Sequence, residues 1–325
     1  MKKVLKFLSQ NITFLVLIVC VIFFSLVSDV FLSVNNITNV VRQVAVTGIA
    51  ATGMTMIMLT GGIDLTPGST VGLVGVVCAL LMTKTNAPVW LVVIAGVSVG
   101  LVIGLLNGVL VAYAKMPPLI CTLAVMHGIR GLCYILTGGM PIFGFPASFG
   151  VIGKAYVGVI PVPVIILAVV FIIFALLLSK TRMGRHIYAI GGNREALRLS
   201  GVNVEKRLVQ VYGIAGLLFG LAGVVLLSRI SSAQPSAGNG FEFDVVTAVV
   251  LGGISVSGGE GKLSGAITGV LIMGILANGM TLLNIYEYYQ MIMKCLVLLI
   301  AVYAGEFAKN KQQFKSIRKK RKVAD

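Results

Sequence analysis

Long apolar runs, interrupted at short intervals by polar or basic residues, dominate the chain. Charge-free stretches lie near 11–31, 44–61, 68–84, 88–114, 118–137, 161–179, 208–228, 244–257, 264–284 and 288–305. Most approach the roughly 20 residues a helix needs to cross a hydrocarbon core of about 30 Å. The pattern predicts an all-α integral membrane protein with about ten transmembrane helices, some of them short or broken. The third and eighth runs are short for a span, and the fourth is long enough to tilt or break. The N-terminus, Met1-Lys2-Lys3 before an apolar run from Ile12 to Val27, has the charge pattern of a signal peptide. Its apolar run is long and lacks a small-x-small cleavage site, so it is read as a retained first span.

Composition agrees. Of 325 residues, 58% are hydrophobic and 11% charged, against about 25% charged in soluble domains. Residues 1–305 read as one membrane domain and 306–325 as a basic tail. A net charge of +16 would suit a nucleic-acid partner if the bases formed a patch, but they follow topology instead. With the N-terminus inside and ten crossings, twenty bases fall inside and four outside, namely Arg42, Lys84, Lys154 and Arg229. That bias marks the cytoplasmic side. It predicts cytoplasmic termini and a lipid bilayer, not nucleic acid, as partner. The tail Lys315–Lys322 reads as solvated and membrane-proximal, though it can also hold anionic lipid at roughly 1 kcal/mol per base. Cys20, Cys78, Cys121, Cys133 and Cys295 lie in apolar segments with no C-x-x-C pair. They read as small buried hydrophobes, with no metal site.

Within this apolar background stands Thr60-Gly-Gly-Ile-Asp64-Leu-Thr-Pro67-Gly68-Ser69. Asp64 is the only charge between Arg42 and Lys84. A carboxylate at the bilayer centre costs about 2.5–3.5 kcal/mol on insertion scales. Pro67 stops a helix from running through it, and Gly61, Gly62 and Gly68 tolerate other backbone conformations. The helix should therefore stop near Thr60 and restart near Pro67, with the gap facing protein or water and not lipid. Asp64 in that gap can cap the incoming helix or act in gating. By the predicted topology the break lies toward the cytoplasmic side. A second stretch, Gly252-Gly253-Ile254-Ser-Val-Ser-Gly258-Gly259, matches Gly61–Gly68 as G-G-I-x-[LV]-[ST]-x-G. Paired broken segments point to a transport path in repeat-built transporters. Gly96, Gly100, Gly104 and Gly108 form a repeated G-x-x-x-G for close helix packing, as do Gly265 and Gly269. Gly259-Glu-Gly261-Lys262-Leu263-Ser264 is no phosphate loop, since the required glycine and the hydroxyl after lysine are missing. Any ATP must be bound by another chain.

The loop 180–207 holds seven bases. Asn193 can cap a short helix whose first turn holds Glu195; Ala196, Leu197 and Leu199 follow, and Gly201 ends it. The helix suits a headgroup-lying connector or a docking knob for a partner.

Four stretches together, "TGGIDLTPGS", "GRHIYAIGGNREALRLSGVNV", "SSAQPSAGNGFEFDVVTAVVLGG" and "YYQMIMK", resemble the membrane permease subunit of ribose-type bacterial ABC sugar importers. They occur in that family's order and span about residues 40–305. Thr66-Pro67 stands where the family often has Ser-Val. The resemblance implies a ten-span permease in the bacterial plasma (inner) membrane, working as a homodimer with a separate cytoplasmic ATPase and an extracytoplasmic sugar-binding protein. It implies no enzyme activity and no cofactor of its own. Gly192, Asn193, Glu195, Ala196, Leu199, Ser200 and Gly201 would form the segment that docks on the ATPase. The cargo would be a monosaccharide, ribose-like by default. Asn107, Thr122, His127 and Asn278 are candidate path residues, with Arg130 and Gln290 beside them. Arg130 is expected near the outer end of its span or paired with an acid. Ser231–Phe243 would line the outer mouth or meet the binding protein. The alternative is a secondary, ion-coupled transporter of a small polar solute. It would want a relay of intramembrane acids or histidines, for which only Asp64 qualifies.

Overall fold

The computed structural model describes residues 12–303. The basic tail and the N-terminal Lys2, Lys3 and Lys6 lie outside the described residues. In chain order the helices are α1 (Ile12–Val27), α2 (Val34–Leu59), α3 (Pro67–Thr85), α4 (Val89–Ala112) and α5 (Pro118–Thr137). A 3-10 turn, the short α6 (Val151–Lys154) and a two-stranded hairpin, β1 (Tyr156–Val157) and β2 (Ile160–Pro161), follow. Next come α7 (Val162–Lys180), α8 (Arg182–Gly192), α9 (Arg194–Leu199), α10 (Val204–Ile230), α11 (Phe241–Leu251) and α12 (Leu263–Leu282). Residues 287–303 form a last described helical stretch, α13. β1 and β2 pair antiparallel, Tyr156 opposite Pro161.

Every predicted apolar run coincides with a helix, and seven described helices are long and apolar enough to cross a membrane. The fourth run is one continuous helix of 24 residues. The third gains length from its start at Pro67, a residue suited to the first helical position, and reaches 19 residues. The eighth yields only α11, 11 residues or about 16 Å, roughly half a hydrocarbon core.

At the centre stand α2 and α10, most of whose residues are buried. The glycine stripe of α4 explains its close fit to α10. A methyl at Gly100 would lie 2.6 Å from the Gly220 Cα, and one at Gly104 would lie 2.9 Å from the Gly216 Cα. Backbones this close accept only hydrogen as a side chain. Leu-, Ile- and Val-rich faces of α4 and α7 point outward, including Ile94, Val102, Val169 and Ile172. Apolar surface of this extent suits lipid as the surroundings.

The two ends of the bundle differ. At one end α8 and α9 meet the α2–α3 and α11–α12 connections; this is the loop end. At the other, the hairpin end, Arg42 lies over the Tyr156 ring at 4.5 Å and Lys154 donates to Ser231 Oγ at 2.6 Å. From Ser231, which closes α10 in a left-handed conformation, the chain bridges to Ile142 through Ala233. It then turns back into the bundle. Pro235–Gly240 descends along α3 until Gly238 lies against Gly68, and α11 starts from there. The shortness of α11 follows: the preceding loop covers the first part of the same crossing.

Three cysteines, Cys78, Cys121 and Cys133, are buried; Cys20 is half-buried and Cys295 exposed. The expectation of five buried cysteines is corrected for these two, which lie on the peripheral helices α1 and α13.

Candidate functional site

The first break begins with a Schellman ending. Gly61 N–H donates to Met58 O at 2.9 Å and Gly62 N–H to Ile57 O at 3.2 Å, with Gly61 at φ +81°. Such an ending satisfies the last carbonyls of a helix that must stop inside the bundle. Beyond it Asp64 is fully buried. Its Oδ1 accepts from Thr66 N at 2.8 Å and from Thr66 Oγ1 at 2.6 Å. Its Oδ2 accepts from Asn107 Nδ2 at 3.3 Å. The carboxylate thus folds the turn that leads into α3, and Asn107 of α4 supports it from the side. The glycine stripe makes this possible: Gly104 and Gly108 press α4 onto α10 at Tyr212, which brings Asn107 level with the turn. Thr122 of α5 completes the wall, accepting Leu65 N–H at 3.1 Å and donating to Pro118 O at 2.9 Å. Two buried groups here, Asn107 Oδ1 and Tyr212 Oη, have no hydrogen-bond partner among the described residues.

The second break ends α11 in the same way. Gly253 N–H donates to Val250 O at 2.9 Å and Ile254 N–H to Val249 O at 3.3 Å, with Gly253 at φ +84°. This shifts the correspondence between the breaks by one residue. The sequence match pairs Gly61 with Gly252, but the left-handed position after each helix pairs Gly61 with Gly253 and Asp64 with Val256. The match of identical letters set Gly62 against Gly253, whereas the backbone is organised by which residue must take φ > 0. Asp64 therefore has no polar counterpart. The second connection is also longer, with Gly258, Gly259 and Gly261 at positive φ.

The two breaks touch. Gly259 N–H donates to Leu59 O at 2.9 Å, and a methyl on Gly258 would lie 2.6 Å from Gly61 N. The last turn of α8 closes on both: a methyl on Gly191 would overlap Leu59 O and Gly259 N and lie 2.9 Å from the Gly258 carbonyl carbon. Tyr188 Oη, on the same helix, donates to Gly261 O at 2.9 Å.

α9 projects beyond this contact. Asn193 Oδ1 accepts Ala196 N–H at 2.9 Å, and Gly201 ends the segment at φ +84°. Leu197 packs with Ile190, Val204 and Leu208. Glu205 of α10 accepts from Arg198 at 2.8 Å, with Arg194 at 3.8 Å. The outer surface presents Gly192, Asn193, Glu195, Ala196, Leu199, Ser200 and Gly201, all exposed, with Leu199 at 82%. Beside it His186 is held below its ordinary pKa by partial burial and then by the positive charges of Arg207, Arg185 and Arg182.

The path candidates separate. Asn107 and Thr122 join Asp64, whereas His127 is exposed on α5. Asn278 forms a reciprocal amide pair with Asn36 of α2, at 2.9 and 2.8 Å. Gln290 donates to Ile285 O at 2.9 Å. Of the two alternatives expected for Arg130, an acid partner or a place toward the outer end of its span, no ion pair forms among the described residues: it donates to Pro235 O at 2.7 Å and Ala237 O at 2.8 Å, anchoring the inturned loop. Sequence reasoning did not single out Glu242. It is 4% exposed, its Oε2 has no partner among the described residues, and a methyl on Gly68 would overlap its carboxylate. The available signal was an acid in the first turn of an apolar helix behind a glycine-rich loop. Asp244, two residues on, pairs with Lys294 of α13 at 2.8 Å.

A bundle of apolar helices, broken beside buried polar groups and capped by an exposed polar knob, defines a multi-pass membrane protein of the permease class. The chain belongs to the family described as branched-chain amino acid transport system / permease component, which matches residues 36–302. It is 42% identical to the ribose import permease protein RbsC of Haemophilus influenzae, over 94% of this chain and 96% of that protein. Identity to RbsC of Bacillus subtilis is 46%, over 89% of this chain and 90% of the relative. The xylose transport system permease protein XylH of Escherichia coli is 34% identical, over 93% and 94%. No solved structure matches the chain.

Proposed function

We propose that this chain is the transmembrane permease subunit of an ATP-binding-cassette importer that carries a ribose-like monosaccharide into the cytoplasm. Residues 1–305 form the permease domain, with ten crossings and both termini cytoplasmic. The eighth crossing consists of the inturned loop and α11 in series. Two copies work together in the plasma membrane. A separate cytoplasmic ATPase docks on α9, and an extracytoplasmic sugar-binding protein delivers cargo at the hairpin end. ATP stays on the partner, and ATP-driven movement of α9 opens the path alternately to the two sides.

The observation that carries this reading is α9 itself. It is a capped, ion-paired helix with an 82% exposed leucine at its tip, rigidly backed by α8 and α10. An isolated headgroup connector needs none of that order, whereas a segment that receives force from another protein does. Basic residues at the loop end support its cytoplasmic placement. The names and identities of the ribose permease relatives favour ribose over xylose.

The test is uptake of labelled ribose, at low concentration, by cells that depend on this chain. Deleting the chain should abolish uptake, and so should inactivating the partner ATPase. Uptake that survives loss of the ATPase but collapses when the proton gradient is discharged would instead establish an ion-coupled carrier.

A further inference from the structure

We propose that the two broken segments are a single moving unit, and that Gly191 is the positioning residue through which the basic loop drives it. This rests on the coupling role of α9 proposed above and adds to it the contact that relays the movement.

Three backbones converge where α8 ends. Leu59 O, the last carbonyl of α2, accepts Gly259 N–H from the second break at 2.9 Å. A methyl at Gly258 would lie 2.6 Å from Gly61 N and 3.0 Å from the Gly191 Cα. Gly61 in turn faces Ser257 O, at 3.4 Å from where its methyl would be. Gly191 fills the remaining side, and a side chain there would displace both partners of the Leu59–Gly259 hydrogen bond. Tyr188, one turn earlier, fixes α8 to the second break through Gly261 O at 2.9 Å. Gly191 is therefore not needed for a left-handed turn, since it lies inside α8. It is needed for closeness.

Such contacts transmit displacement in a definite way. A helix that rests on two segments hydrogen-bonded to each other cannot push one without the other. Packed interfaces switch between discrete arrangements and do not deform smoothly. Movement of α9 thus reaches the Asp64 turn, through α2, and the start of α12, through Gly258–Gly261, in one step. The two glycine stretches, which look in sequence like separate gates, act as one.

The experiment uses the full complex with its ATPase and binding protein in liposomes, measuring ATP hydrolysed per ribose imported. Gly191→Ala should retain the ATPase through purification and raise the ATP used per sugar several-fold. Gly150→Ala is the control, because its added methyl meets only the Lys154 side chain at an ordinary 4.0 Å. It should match wild type. Gly191→Ala with an unchanged ratio overturns the proposal. A parallel measurement does not depend on how that variant folds. Spin labels at Thr60 and Ser257 in the otherwise wild-type chain should keep one separation in nucleotide-free and ATP-bound complexes. A separation that changes between those states also overturns it. If the wild-type complex shows no ATP-driven uptake at all, the functional reading has failed, which is a distinct result.

Discussion

Asn107→Asp isolates what the buried carboxylate of Asp64 contributes. In the native cluster Asp64 Oδ2 accepts from the Asn107 amide at 3.3 Å. The substitution replaces that donor by a second carboxylate at the same separation, with no cation bonded to either group. At an effective dielectric near 20, two like charges 3.3 Å apart repel by about 5 kcal/mol. The pair can relieve this only by retaining a proton. Asp64→Asn alone should be mild. Its amide oxygen keeps both Thr66 bonds; with the Asn107 amide turned over, the new NH2 donates to Asn107 Oδ1, and the Asn107 Nδ2 bond to Thr66 Oγ1 at 3.2 Å is given up, so the net change is about 1 kcal/mol, the worth of one hydrogen bond. The double exchange, Asp64→Asn with Asn107→Asp, restores one carboxylate and one amide and should recover most of the loss. The assay is thermal unfolding of the purified chain in detergent, with membrane insertion measured alongside. Asn107→Asp no less stable than Asp64→Asn, or a double variant no better than Asn107→Asp, would refute the view that Asp64 is an acceptor organising the turn.

Other expectations follow from single contacts. His186 has a folded-state pKa below its unfolded value of about 6.5, so the unfolded loop binds more protons. Its contribution to stability is present above that value and is lost as pH falls through the window beneath it. Arg207→Gln should shift the imidazole titration upward in NMR spectra, and an unmoved titration would contradict the assigned cause. Arg130→Gln removes two charge-assisted bonds to the inturned loop, worth about 1.5–3 kcal/mol each. It should speed thiol labelling at Ser232→Cys, a buried position, and unchanged labelling would count against the anchor. Asn278→Leu leaves Asn36 Oδ1 without its donor, while Nδ2 keeps its bond to Phe31 O at 2.9 Å, and should cost about 0.6–2 kcal/mol. Adding Asn36→Leu should recover part of this in the same unfolding assay.

The helices were legible because the bilayer demands long apolar runs, and each such run in the sequence became a helix. Pro67 and the glycines at 61 and 62 marked the first break because stopping a helix needs specific backbone chemistry. Asn193, Glu195 and Gly201 outlined α9 for the same reason. What pattern alone misses is what non-adjacent segments do to one another. Glu242 looked like part of a polar loop because nothing in the sequence shows that Gly238 lies against Gly68. Lys294 and Asp244 are 50 residues apart, and only folding makes them a pair. Asn278 and His127 were grouped with Asn107 as polar residues in apolar runs, yet one bonds to Asn36 and the other faces outward. The one-residue shift between the two breaks has a similar origin: letters can be matched in several ways, but only one residue after each helix takes the left-handed turn.

The central claim is that this bundle moves sugar only when a soluble ATPase acts on its α9 face. Its most direct test is ribose uptake by liposomes holding the purified chain, with the ATPase and binding protein added singly and together. The account predicts uphill uptake on ATP addition only when all three proteins are present, and its loss when α9 is disrupted by Leu197→Pro, which removes the Leu197 N–H bond to Asn193 O. Uphill uptake by the chain alone, driven by an ion gradient and indifferent to ATP, would contradict it.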